Sequence, residues 1–167
     1  MICVSLKTLM FPMNHLPQEE CLIEFGSVMV KLYIEPEGTI DNFQRLGDYS
    51  PFGGQITLFP CRDYEHRGGL WGTFVHEFCH ALQYQLGSWH GIEGNAELYD
   101  KWSAFFHGTY AGKNPAEAEA EVFRWLWMSY KGYSPAETWE RNWTLVSEYE
   151  KYFRKKGWGG YLPPAAF

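Results

Sequence analysis

The twenty residues GGLWGTFVHEFCHALQYQLG, positions 68–87, constrain this chain more than any other stretch. Phe74, Phe78, Ala81, Leu82 and Gln85 fall on one helix face, and Gly87 is a natural stop. A helix with such a face buries it against other elements. The same helix carries the pentapeptide HEFCH, residues 76–80. Residues four apart are neighbours on a helix, so His76 and His80 project side by side. Two imidazole nitrogens so placed can bind one metal at about 2.0–2.1 Å each. Glu77 lies to the side of that pair, within reach of a water at the metal without being forced to ligate. A metal acidifies such a water and a nearby carboxylate takes its proton, which is why the HExxH spacing signals metallohydrolases. The plain alternative is an amphipathic helix that carries these polar residues by chance. The strand signal upstream and the apolar opposite face favour the metal.

The rest of the chain reads as strands first and helices after, hence α+β. CLIEFGSVMVKLYIEPEG (21–38) is expected to form a hairpin turning near Gly26–Ser27, with Val28, Val30, Leu32 and Ile34 alternating in its second strand. PFGG (51–54) is a turn cluster, and QITLFP (55–60) a short strand closed by proline. A second helix is expected from about Asn95 to His107. A third starts at Asn114–Pro115, an asparagine cap followed by proline, and stops near Lys131–Gly132. By the same logic a fourth starts at Ser134–Pro135 and ends near Lys156–Gly157. Residues 1–157 are expected to make one domain, and WGGYLPPAAF (158–167) a non-helical tail that frays by default, or whose Trp158 and Tyr161 lie across a cleft.

Composition bounds the function. Hydrophobic residues make up 46% and aromatics 19%, ample for a core, so intrinsic disorder is not expected. A net charge of −6 without a basic stripe argues against nucleic acid and against anionic membrane surfaces. No apolar run reaches the length of a bilayer span. The start, MICVSLKTLMFPMNHL, lacks the charged region, uninterrupted apolar stretch and cleavage site of a signal peptide. Cys3, Cys21, Cys61 and Cys79 form neither a CxxC pair nor a dense framework and read as reduced thiols. A cytoplasmic monomer is expected, with secretion by another route left open. Cys61 reads as structural rather than as a cap on a latent metal, and His66, His90 and His107 as surface or hydrogen-bonded residues.

Two histidines need a third protein ligand before a catalytic zinc site is complete. A histidine six residues after His80 would supply one, but that position is Leu86. Glu93 and Glu97 are near in sequence and could equally be carboxylates favoured by a helix start. NPAEAEAEVFRWL (114–126) offers Glu117 and Glu121 four apart on one face, with Glu119 pointing elsewhere. Such a pair can place one carboxylate on the metal and the other behind it, where it orients a ligand histidine. Against this, Asn114 as N-cap would put Glu117 at the reciprocal position of a capping box. Arg124 is expected to pair with Glu121 or with an acid upstream.

HEFCH followed by YAGKNPAEAEAEVFR (110–124) resembles the gluzincin metallopeptidases, and within them the catalytic domain of anthrax lethal factor and its relatives. The likeness rests on HExxH, on Tyr110 seven residues before Glu117, and on Ala120, Glu121, Phe123 and Arg124 after it, and covers about residues 55 to 127. It implies a zincin-like fold, with a small, mostly antiparallel sheet packed on the HExxH helix and further helices following. It implies Glu117 as third zinc ligand, Glu121 as the carboxylate behind it, and Tyr110 as a hydrogen-bond donor to the developing oxyanion. It also implies that the strand near QITLFP forms the cleft edge along which an extended substrate lies. Cys79 stands where that family often has glycine, and is small enough for the packed side of a helix.

The reading is therefore a zinc-dependent peptidase acting on a protein or peptide. Zn2+ is held by His76, His80 and Glu117, and Glu77 is the general base. The rival readings are a zinc-stabilised binding module without hydrolysis, a metallohydrolase acting on another amide, and a plain structural domain.

Overall fold

The computed structural model describes residues 21–35, 46–59, 69–87 and 92–164. The readings of the N-terminal segment, Cys3, Cys61, His66 and His90 lie outside the described residues, as does the side chain of Cys21. The described residues are α+β, and the chain divides into two compact units, Met1–Leu86 and Gly87–Phe167.

The first unit holds four strands and one helix. Strands β1 (Cys21–Phe25) and β2 (Val28–Ile34) form the expected hairpin, turned by Gly26 at φ 56°. A positive φ there costs glycine nothing, and the tight turn needs it. Along β2, Val28, Val30 and Leu32 are buried while Met29 and Lys31 face outward, the alternation of a strand with one covered face. Strands β3 (Gly47–Ser50) and β4 (Gln55–Leu58) form a second hairpin around the PFGG turn. β4 also pairs with β2, in parallel, so the sheet order is β1-β2-β4-β3. The sheet is thus mixed, and β4, expected as a cleft edge, is interior. Both its sides carry ladder bonds, and among the described strands the outer ones are β1 and β3.

Helix α1 (Gly69–Gln85) packs on β2, β3 and β4. Phe74, Phe78, Ala81 and Leu82 are buried as their shared face requires, and Phe74 stacks on Phe78 with centroids 5.9 Å apart. Gln85 ends the helix with a different task. Its side chain accepts from Met29 N (3.2 Å) and donates to Met29 O (2.8 Å). It thereby serves the backbone groups of β2 just beyond the β4 ladder, which begins at Lys31.

The second unit is helical. α2 (Ala96–Phe106), α3 (Pro115–Tyr130) and α4 (Trp143–Lys155) each start on an asparagine. Asn95, Asn114 and Asn142 accept from the backbone N–H of Leu98, Glu117 and Leu145, satisfying one orphan donor of each first turn. The first two starts are those expected. The fourth helix begins at Trp143, not at Ser134–Pro135. In the stretch before it, the Glu140 carboxylate accepts from Ala136 N (2.6 Å) and Glu137 N (2.8 Å). Those donors close an irregular turn, a 3₁₀ turn Trp139–Arg141 follows, and Asn142 then caps the real helix.

Residues 158–161 form a 3₁₀ turn, where a non-helical tail was expected. Gly157, left-handed at φ 85°, turns the chain at the end of α4. Trp158 is fully buried and stacks on Phe153 with centroids 5.6 Å apart, and Trp127 Nε1 donates to Tyr161 O. Trp158 closes a row of rings that runs through Phe106, Tyr149 and Phe153. Trp158→Ala is expected to destabilise the protein by about 3–5 kcal/mol, the usual result of emptying a buried aromatic site. Urea denaturation measures this, and a loss under about 1 kcal/mol, the size of a surface change, would refute a structural role for the segment. No helix among the described residues is long and apolar enough to cross a membrane.

Candidate metal centre

The first unit brings HEFCH onto one turn of α1. His76, Glu77 and His80 are all buried. The imidazoles of His76 and His80 lie with centroids 4.9 Å apart and planes at 82°, and their Nε2 atoms are 3.2 Å from each other. Two nitrogens bound to one zinc at about 2.0–2.1 Å and a tetrahedral angle sit about 3.3 Å apart. The pair therefore already has the separation that a shared metal requires.

Gln83 sets the tautomer of His80. Its buried carboxamide oxygen is 2.7 Å from His80 Nδ1, so that nitrogen carries the proton and donates. The lone pair of the neutral ring is then on Nε2, the atom facing His76. Metal-binding histidines are held in this way by a partner on the other ring nitrogen. Gln83 is three residues after His80, a helical neighbour, and that spacing was the signal that could have found it. Cys79 is fully buried on the packed side of the helix.

The second unit holds the carboxylates. A 3₁₀ turn Tyr110–Gly112 leads through Lys113 and the cap Asn114 into α3. Asn114 makes its half of a capping box, accepting from Glu117 N at 2.9 Å. The Glu117 carboxylate itself, half-buried, accepts from the Tyr110 hydroxyl at 3.4 Å. Tyr110 and Glu117, seven apart in sequence, are thus brought together. The Lys113 ammonium lies 3.6 Å from the centre of the Tyr110 ring, a cation–π contact that steadies an otherwise exposed ring. Nothing in the sequence pattern marked Lys113.

Each of the remaining acids of α3 has its own task. Glu119 points elsewhere, as expected, and its buried carboxylate accepts from Asn95 N at 2.7 Å, tying α3 to the start of α2. Glu121 forms a buried ion pair with Arg124 at 2.6 Å, one turn along the same helix. Glu93 and Glu97 are exposed, and Glu97 lies in the first turn of α2, where the helix dipole favours a carboxylate. His107 is exposed at the end of α2.

Glu140 feels the charges of Arg124 and Glu121 and was not foreseen. Burial holds its carboxyl above the usual range. The N–H groups of Glu137 and Ala136 and the charge of Arg124 pull it down, and the charge of Glu121 pushes it up. Its folded value thus exceeds the unfolded one, so between the two the folded chain binds more protons and stability falls as pH rises. Glu140→Gln keeps an acceptor for the two N–H groups and is expected to flatten that fall above the ordinary glutamate range. Urea denaturation at a series of pH values tests it, and an unchanged slope would refute the assignment.

Comparison with protein-family models, with curated proteins and with solved structures finds no match to this chain.

Proposed function

We propose that this chain is a zinc-dependent peptidase of gluzincin type, with a zincin-like fold, acting on a peptide or protein substrate as a monomer. The observation that carries the reading is the convergence of His76 Nε2 and His80 Nε2 at 3.2 Å, with the buried Glu77 carboxylate on the same turn. Glu117 of the second unit would complete the donor set with His76 and His80, two imidazoles and a carboxylate, as in many catalytic zinc sites. Zinc bound there would polarise the scissile carbonyl and acidify the attacking water.

The side chains divide the remaining work. Glu77 takes the proton of the attacking water and passes it to the leaving amine, with no covalent intermediate. Tyr110 exchanges its long hydrogen bond to Glu117 for one to the developing oxyanion. Glu121, held by Arg124, supplies a fixed negative charge behind the ligands. The burial of His76, Glu77 and His80 keeps bulk water from screening these charges.

The first experiment is elemental analysis of protein purified without a metal-affinity tag, followed by cleavage of a peptide library. About one zinc per chain, lost in His80→Ala, with chelator-sensitive cleavage that added zinc restores, is the expected result. Zinc without cleavage would make the chain a zinc-stabilised binding module. A folded chain that takes up no zinc would reduce HEFCH to an ordinary helix and end the reading.

A further inference from the structure

We infer that Gly47, on β3, is a positioning residue for Glu77: it is glycine because the Glu77 side chain occupies the space a side chain at 47 would fill. The inference rests on the peptidase reading for its functional consequence, and on the geometry of the first unit alone for its cause.

Gly47 has no conformational reason to be glycine. Its backbone is not in the left-handed region, and it sits in regular antiparallel register with Leu58 of β4. A glycine inside a strand weakens it, so one that persists marks a close approach by another group. Here that group is α1. A Cβ built on Gly47 would lie 2.6 Å from Thr73 Cγ2, 3.0 Å from Glu77 Cγ and 3.2 Å from Glu77 Oε1. The helix thus lays Thr73 and Glu77, one turn apart, directly against the bare backbone of β3. Thr73 is β-branched and stiff on a helix, so it yields little. Glu77 is the longer and more flexible of the two, so an added methyl displaces its carboxylate. A general base acts only within hydrogen-bond reach of its proton; a misplacement of about 1 Å can cost on the order of 100-fold, and the shift of a few tenths of an ångström that these contacts demand costs correspondingly less.

The two contacts allow a purely structural role to be separated from a positioning role. Gly47→Ala collides with both Thr73 and Glu77. Gly47→Ala combined with Thr73→Ser removes Thr73 Cγ2, the nearest obstacle, and leaves only the collision with Glu77. Serine retains the hydroxyl that Thr73 directs at Gly69 O. The single variants, the double variant and wild type are compared by melting temperature, zinc per chain, kcat and KM. The Glu77 carboxyl resonance is followed by NMR of 13C-glutamate-labelled metal-free protein and assigned with Glu77→Gln.

The expected result is that Gly47→Ala keeps its zinc and loses kcat by about 10-fold with little change in KM. The double variant regains melting temperature but not kcat, and its Glu77 resonance stays displaced from wild type. If kcat returns together with melting temperature, or the resonance matches wild type in both variants, Gly47 is only a packing residue and the inference is overturned. Should Gly47→Ala fail to fold, the double variant carries the test. A wild-type chain with neither zinc nor hydrolysis would overturn the peptidase reading, and the metal-free resonance would still decide for or against Gly47.

Discussion

Glu77→Gln is expected to retain zinc and to lose hydrolysis by on the order of 10²–10⁴-fold, the usual weight of a positioned general base. Glutamine nearly matches glutamate in volume, so it fits the narrow space against Gly47 and Thr73 without disturbing α1. It cannot accept the proton of the attacking water. His76 and His80 keep their separation, because α1 and the Gln83 contact hold them independently of residue 77. Zinc per chain and kcat/KM on one cleaved peptide measure the two halves of the claim. Loss of zinc together with activity would make Glu77 a ligand. Unchanged hydrolysis would remove it from the mechanism.

Glu117→Ala is expected to lower zinc affinity by more than about 100-fold, beyond the roughly 10–100-fold that follows loss of a partner behind the ligands. Glu121→Gln, which weakens the Arg124 pair, should fall within that smaller range. Glu93→Ala and Glu97→Ala should change nothing, since both side chains are exposed and Glu97 is accounted for by the first turn of α2. Competition with a chromophoric chelator measures all four. Normal binding in Glu117→Ala with a loss in either exposed variant would show the third ligand to be wrongly chosen.

Local chemistry made part of the candidate site legible. HEFCH on a helix places two histidines together by periodicity alone, and α1 does so. Asn114 before proline announces the start of α3, and that start fixes which way Glu117, Glu119 and Glu121 face. Arg124 with Glu121 is a same-helix pair that spacing alone can suggest. The fourth helix shows the limit of such signals. Ser134–Pro135 is a sound helix start by sequence, but in the structure the helix is capped by Asn142, after a stretch in which a buried glutamate accepts from the N–H groups of residues 136 and 137. Which of two adequate caps prevails depends on what the intervening residues bury, here Trp139 and Glu140.

Other features had no local signature at all. β3, the sequence GDYS, has too little alternation to announce a strand, and it exists because β4 offers it a ladder. The parallel pairing of β2 with β4 joins segments more than twenty residues apart, and it turns the expected cleft strand into an interior one. Trp158 sits in a glycine-rich stretch that reads as tail, and a ring on Phe153 and a turn at Gly157 make it core.

Short-range residue patterns sufficed for the α+β order of elements, the span of α1, two of the three asparagine-capped starts and the pairing of His76 with His80, because each depends on residues within about one or two helical turns. The tertiary structure alone decided the sheet order, the true start of α4, the burial of Trp158 and the approach of Gly47 to Glu77. Those depend on which distant surfaces meet, and a glycine records such a meeting only as the side chain it lacks.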